Sequence, residues 1–291
     1  MKTKKIQILR KIAPAILSGF ISIGANAQKL PGVQPAIGLR APANIKIDGK
    51  TTEWDDKFQA HNRATDIFYT LSNDDTHLYL IVQATVPDVI NKIIGGGITF
   101  TIQKSGKKDD KGGISITYPI FTRDNRPALG INRTVSIENG VTKTQTTQDA
   151  LTDSVIAVRN KQLADKSKYV GVSGIPGIDS LISVYNENGI RTGQAINSKA
   201  AYTYELAIDL KTLGISAADA PKFAYHIMLN GLAKPVMTVK IQNADGTVTT
   251  NTSAVQSPEA SDMIAKMMAA MGGGDLFSPT DFWGEYTLAR K

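Results

Sequence analysis

The stretch FYTLSNDDTHLYLIVQATV (68–86) decides the fold. Its two ends are apolar, extended runs, and SNDD (72–75) lies between them. Asn and Asp favour a tight turn, because their side chains hydrogen-bond to nearby backbone and tolerate positive φ. From Leu78 to Ala84 the apolar residues fall on alternate positions, the period of a β-strand with one buried face. The stretch therefore predicts an antiparallel β-hairpin.

The same period of two recurs along the chain, whereas helical periodicity is scarce. The apolar repeats fall at 98–102, 114–118, 202–208 and 223–229. Each repeat can fill one side of a core, since successive residues of a strand point to opposite faces. Many such strands with turn signals between them favour an all-β sandwich or barrel.

Three helical segments and two loops interrupt this pattern. We expect short turns of helix at 88–94, followed by a Gly run from Gly95, and at 210–214, ending at Gly214. The clearest helix is Met-rich, PEASDMIAKMMAAM (258–271), with Pro near its start and a Gly run beyond its end. The charged segment 104–113 and the Thr-rich segment 139–153 are predicted to be solvated loops rather than sites.

The N-terminal residues have the pattern of a secretory signal peptide. Five basic residues precede an apolar run at 12–23, and Ala25-Asn26-Ala27 resembles a cleavage site. We expect 1–27 to be removed after Ala27, which would place the mature chain in a periplasm or outside the cell. An uncleaved N-terminal anchor is the alternative. No later run reaches the ~18 apolar residues of a membrane span.

Charge and cysteine content exclude several classes of function. The chain holds 33 Lys and Arg against 26 Asp and Glu, but five of the basic residues lie in 1–27, so 28 face 26 afterwards. No basic stripe with interleaved aromatic residues remains, and we expect no nucleic-acid partner. The absence of Cys excludes disulfides, thiol nucleophiles and thiolate metal sites.

The sequence after the signal peptide predicts one domain. The Pro- and Gly-rich residues 28–44 are interpreted as an extended leader lying along a sheet edge. No linker divides 45–291, which we interpret as a single domain with a helical insertion at 258–274 before the last strand.

Several segments, in this order, resemble the family-9 carbohydrate-binding modules and their DOMON-like relatives. They are IDGKTTEWDD (47–56), SNDDTHLYLIVQATVPD (72–88), YELAIDLKTLGIS (204–216), FAYHIMLNG (223–231) and FWGEYTL (282–288). The resemblance implies a two-sheet antiparallel β-sandwich, immunoglobulin-like in architecture, with about ten strands. It also implies a sugar site on one face.

Aromatic rings are the usual platform for a sugar, because the C–H side of a pyranose packs on a flat π surface. The best studied family members clamp sugar with two Trp residues. Here Trp54 and Trp283 fall in motifs of the opening and closing strands, and both are interpreted as structural. The remaining candidates for sugar contact are Tyr69, Tyr118, Tyr185, Tyr202 and Glu205. For Glu205 two structural roles are the alternatives to sugar contact: it could face solvent, or it could be the buried partner of an Arg or a Lys.

Catalysis is not expected from the motifs. No G-x-S-x-G nucleophile elbow is present. The acids Glu53, Asp55 and Asp56 cluster in a turn, where carboxylates usually cap or are solvated. We therefore expect a non-catalytic protein that serves, at most, glycoside hydrolysis by another protein.

We expect no cofactor, with calcium left open. The three His residues are not at metal-ligand spacing. Asp74, Asp75 and Asp88 are candidate oxygen ligands for calcium, although their spacing is not that of an EF-hand. His226 and Met228 share one face of one strand and could not bind opposite sides of a haem, which disfavours a DOMON-like haem site. His226 together with a distant Met is the alternative.

The function expected from the sequence is recognition of a glycan or an envelope polysaccharide by an exported protein. One alternative is a scaffold for an exported or outer-membrane protein, docking through the Met-rich segment, whose Met side chains suit adaptable contacts. The other alternative is a haem-binding DOMON-like domain.

Overall fold

The structure, a computed structural model, describes residues 29–138, 141–148, 151–232, 238–242, 248–252 and 276–290. Two antiparallel sheets dominate it, one of five strands and one of six, and two further hairpins stand outside them. The predicted all-β two-sheet sandwich is therefore confirmed. Among the described residues, none of the helices combines the length and the apolarity needed to cross a membrane.

The strands of both sheets follow from the predicted apolar repeats. The five-stranded sheet has the order β1-β2-β3-β11-β10, from strands Ala60–Asn62, Ile67–Asn73, His77–Ala84, Tyr202–Asp209 and Ile190–Ile196. The six-stranded sheet has the order β15-β12-β4-β5-β8-β9, from strands Thr280–Thr287, Lys222–Leu229, Ile98–Gln103, Ile114–Tyr118, Tyr169–Ser173 and Leu181–Ser183. The separate hairpins are β6–β7, Ile131–Glu138 with Val141–Gln148, and β13–β14, Thr238–Gln242 with Val248–Thr252.

The core lies between the two sheets and is filled by alternate residues of each strand. Leu78, Leu80 and Val82 of β3 face inward, opposite Phe223 and Tyr225 of β12. Burial of these apolar side chains is the main favourable term, at roughly 25 cal/mol per Å² of apolar surface removed from water.

A second, smaller apolar cluster covers the outer face of the five-stranded sheet. The segment before β1 crosses that face, and Trp54 packs there against Tyr79, Ile81 and Ala207. Close approach requires glycine, since a Cβ on Gly193 would lie 2.5 Å from the main-chain oxygen of Ile47. We call the segment 45–58 the outer strap; it explains why the outward residues of β3 and β11 are buried.

Three α-helices occur among the described residues, α1 (Pro87–Gly96), α2 (Asp153–Lys166) and α3 (Leu210–Leu213). The sequence predicted α1 and α3 but not α2. Helix α2 begins with Thr152, whose hydroxyl accepts a hydrogen bond from the Val155 amide, and it packs along β10. Its buried residues are Arg159 and Leu163, so its helical apolar pattern is weak.

The prediction of a loop at 139–153 is wrong in part, because 141–148 forms β7, antiparallel to β6. The predicted signal peptide (1–27) and the Met-rich helix (258–271) lie outside the described residues. The leader runs beside the five-stranded sheet, where Arg40 forms a parallel bridge to Asn73.

Candidate functional site

The free edge of β10 carries main-chain groups that no described residue binds. At the two ends of β10, main-chain hydrogen bonds mark the side that faces β11. Asp209 N donates to Gly189 O at 2.9 Å, and Asn197 N donates to Ala201 O at 3.0 Å. Antiparallel pairing alternates, so residues 191, 193 and 195 also bond to β11, and residues 190, 192, 194 and 196 face the free edge.

Two asparagine side chains occupy the outer positions of that edge. Asn160 of α2 accepts from Ile196 N at 2.7 Å and donates to Ile196 O at 3.0 Å. Asn186 donates to Ile190 O at 2.8 Å. Between them, the N–H and C=O groups of Thr192 and Gln194 have no hydrogen-bond partner within the described ranges.

A pocket of about 250 Å³ lies against this unpaired part of the edge. It opens where β10 meets α2 and the chain after β9. We call it the β10 pocket, and its lining includes Asp48, Tyr118, Ala164, Ser167, Tyr185 and Gln194. It is concave and combines donors, acceptors and an aromatic ring, as small-ligand sites do.

The floor of the β10 pocket is a connected set of buried polar side chains. Gln194 donates through Nε2 to the Ser167 hydroxyl at 2.6 Å and to the Tyr118 hydroxyl at 3.1 Å. Its other amide atom, Oε1, accepts from the Tyr202 hydroxyl at 2.7 Å. Burial raises the pKa of Tyr118, so its phenol stays protonated at neutral pH. These bonds hold the floor in one arrangement before any ligand arrives.

Tyr185 stands at the mouth of the β10 pocket with 80% of its surface exposed. The ammonium of Lys168 lies 5.8 Å from the centre of its ring. A large exposed ring beside a polar concavity is unusual for a residue with a purely structural role.

A second aromatic surface lies on the outer face of the six-stranded sheet. His226 and Trp283 are direct cross-strand partners, and their rings stack 4.4 Å apart and 4° from parallel. The imidazole lies between two carboxylates, with Nδ1 at 3.0 Å from Asp110 and Nε2 at 2.8 Å from Asp281. We call these four residues the Trp283 face.

The segment 104–113 folds over this outer face. The Gln103 amide donates to the main-chain oxygens of Asp109 and Lys111, at 3.1 and 2.8 Å. Asp110 is thereby carried to His226. The segment is solvent-exposed, as expected, but its tip is anchored to the sheet.

The tyrosines predicted from the sequence divide into two groups. Tyr118 and Tyr185 come together in the β10 pocket. Tyr69 and Tyr202 have 0% exposed surface, which corrects the expectation that they touch a ligand. Tyr69 bonds instead to the Tyr225 hydroxyl at 2.9 Å in the core, and Tyr202 supports the pocket from behind.

Glu205 is also buried, with 0% exposed surface, so the expectation of a sugar contact or a solvent-facing residue is corrected. Its partners are not Arg or Lys. Its carboxylate accepts from Trp54 Nε1 at 2.8 Å and from the amides of Asp48 and Gly49 at 3.0 and 2.8 Å. Glu205 therefore fastens the outer strap, and with it the Asp48 wall of the β10 pocket.

The three aspartates considered for calcium do not come together. Burial raises the pKa of Asp74, but hydrogen bonds from Tyr79, Thr76 and His77 outweigh it and lower the pKa to about 2. Asp75 pairs with Arg40 at 2.7 Å. Asp88 follows the opposite end of β3, roughly 25 Å away along the strand. Among the residues that the structure describes, no group of three or more acids or histidines is arranged to hold a metal.

Sequence reasoning missed two parts of these surfaces. Trp54 is buried as expected, but Trp283 lies on the outer face and is only partly buried. The alternation in FWGEYTL shows this in retrospect, because Phe282 and Tyr286 point inward and Trp283 has the opposite parity. The unpaired part of the β10 edge has no sequence signal, because its limits are set by Asn160 and Asn186, which come from other elements.

Comparison of the chain with protein-family models, with curated protein sequences and with solved structures finds no match.

Proposed function

We propose that this chain is an exported, non-catalytic carbohydrate-binding protein and that the sugar occupies the β10 pocket. The observation that carries the proposal is the unpaired edge of β10 beside the exposed Tyr185 ring. A sugar hydroxyl both donates and accepts, so it suits a site that offers N–H and C=O groups together.

In this proposal, the Tyr185 ring and the floor of the β10 pocket contact different parts of the sugar. Tyr185 offers a flat apolar face to the C–H side of a pyranose. The side chains of Tyr118, Ser167 and Gln194 are held in place by their mutual hydrogen bonds, so little ordering is needed on binding. A ligand of matching hydroxyl geometry would satisfy the main-chain groups of Thr192 and Gln194.

The Trp283 face is a weaker candidate for the sugar site than the β10 pocket. One side of the indole is covered by His226, and both nitrogens of that imidazole already face carboxylates. A sugar there would have to break existing pairs, whereas the β10 pocket would gain new ones.

The test is a glycan array followed by calorimetric titration of the purified protein. We expect Tyr185→Ala to weaken binding by about tenfold and Tyr185→Phe to retain most of it, since an aromatic contact contributes about 1 kcal/mol beyond its area. Trp283→Ala serves as the matched control and should leave the affinity unchanged. The proposal is wrong if no glycan binds at millimolar concentration, or if only Trp283→Ala reduces binding.

A further inference from the structure

A second pocket, of about 390 Å³, adjoins the β10 pocket along helix α2. We call it the α2 pocket; its lining includes Lys50, Asn160, Ala195 and Lys199. Its walls continue those of the β10 pocket. Gly49 and Ala195 line the α2 pocket, and their chain neighbours Asp48 and Gln194 line the β10 pocket.

One stripe of α2 forms the third wall of both pockets. Ile156 and Asn160 line the α2 pocket, and Ala164 and Ser167 line the β10 pocket. Residues three and four apart lie on one helix face, so the four positions form a single row. Ile156 and Ser167, the residue that caps α2, are eleven positions apart, which corresponds to a rise of about 16 Å and is longer than one sugar ring.

The two pockets differ in charge. Lys50 and Lys199 line the α2 pocket with one acid, Asp56, which already accepts a hydrogen bond from the Thr51 hydroxyl. The Lys50 ammonium lies 3.1 Å from Asp48, whereas Lys199 forms no ion pair with any residue of the described ranges. The α2 pocket therefore has a free positive charge, whereas the described residues that line the β10 pocket include a single charged one, Asp48.

We propose that the two pockets form one cleft and that its ligand is an oligosaccharide carrying an anionic substituent, with the anionic sugar in the α2 pocket. This inference rests on the proposed function, because it assigns the length and charge of the sugar that the β10 pocket holds. A carboxylate or sulfate at Lys199 forms a charge-assisted hydrogen bond, which is stronger than a neutral one.

The experiment compares neutral and uronate-bearing oligosaccharides of one to four residues on an array, then titrates the tightest binder. We expect acidic oligomers to bind more tightly than neutral oligomers of equal length, and more tightly than acidic monomers. Lys199→Gln should weaken their binding by about five- to tenfold, as expected when a neutral hydrogen bond replaces a charge-assisted one. Lys211→Gln, on the exposed surface of α3, is the matched control and should have no effect.

The outcomes distinguish a failure of the acidic cleft from a failure of sugar binding itself. If neutral oligomers bind as tightly and Lys199→Gln changes nothing while Tyr185→Ala still weakens binding, the acidic cleft is wrong and sugar binding stands. If monomers bind as tightly as tetramers, the cleft is not continuous. If no glycan binds, both proposals fail. Circular dichroism of each variant shows whether a loss of binding reflects a loss of fold.

Discussion

The β10 pocket and the Trp283 face both combine aromatic rings with hydrogen-bonded polar side chains, but the β10 pocket also holds unpaired main-chain groups. On the Trp283 face, the His226 nitrogens each have a carboxylate within 3.0 Å. In the β10 pocket, the edge groups of Thr192 and Gln194 have no partner among the described residues. Polar groups that are already paired stabilise the fold, whereas unpaired groups leave interaction energy available for a ligand.

The largest expected effect concerns the outer strap, which lines the β10 pocket. Glu205→Gln replaces an acceptor of three N–H groups by an amide that can accept with one atom only. We expect a loss of about 3 kcal/mol in the free energy of unfolding, because buried N–H groups are left unpaired. Weaker sugar binding should follow, since Asp48 belongs to the detached strap. Unchanged stability by urea denaturation would show that the strap does not depend on Glu205.

The same residue predicts a dependence on pH. Burial raises the pKa of Glu205 from 4.5 to about 7, so between these values the folded chain holds a proton that the unfolded chain has lost. The stability that this raised pKa contributes to the fold is therefore fully present below pH 4.5 and is lost as pH rises through 7. The stability gap between wild type and Glu205→Gln should narrow from pH 5 to pH 8. A gap that widens would mean that the carboxylate is ionised in the fold.

A smaller expected effect comes from filling the β10 pocket without touching its polar groups. Ala164 is an exposed residue of α2 that lines the pocket, and Ala157 is exposed on the same helix outside the pocket lining. We expect Ala164→Leu to weaken sugar binding by about tenfold or more, because its side chain would occupy space meant for a ligand. Ala157→Leu controls for any change in the helix. Equal affinities for the two variants would place the sugar elsewhere.

Trp283→Ala should affect the fold more than binding. Removing the indole exposes His226 and deletes a stacked contact, and we expect a loss of about 1–2 kcal/mol in the free energy of unfolding. Sugar affinity should stay within error of the wild type. Thermal unfolding and calorimetry of the same sample measure both quantities. If the variant kept its full stability but no longer bound sugar, the Trp283 face would be the sugar site and the β10 pocket would not.

The smallest effect is expected at the tip of the 104–113 segment. Asp110→Asn removes one carboxylate from His226, in a pair whose Asp side chain is 58% exposed. We expect a loss below about 1 kcal/mol, since solvent screens an exposed pair. Proteolysis of the segment should become faster, which reports its release from the sheet. A loss as large as that of Glu205→Gln would mean that this contact is essential to the sandwich.

Strand positions were predictable because one face of each main strand is apolar and packs into the core. Leu78, Leu80 and Val82 alternate along β3 and lie in that core, as do Phe223, Tyr225 and Ile227 of β12. Helix α2 was not predictable, since its apolar contact with the domain is mainly Leu163. The strand β7 (Val141–Gln148) was missed because its polar residues give no alternation of apolar with polar.

The candidate site was predicted only in part, for a physical reason. A strand pattern shows which residues share a face, but not whether that face is covered. Tyr118 and Tyr202 have the same parity in their strands as core residues, and one of them lines a pocket while the other does not. Glu205 looked solvent-facing because its parity is outward, and the outer strap then covers it. Coverage by distant segments is the information that local sequence does not contain.

Asn73 connects two distant parts of the chain. Its side chain donates to Ala289 O at 3.0 Å and accepts from Ala289 N at 2.7 Å. Its main-chain N–H donates to Leu39 O at 3.0 Å. Leu39 and Ala289 are therefore neighbours, with nearly the whole sandwich between them in sequence. A short engineered peptide could join these two positions, and new termini could be opened in the exposed 104–113 segment, giving a circular permutant with the same two sheets.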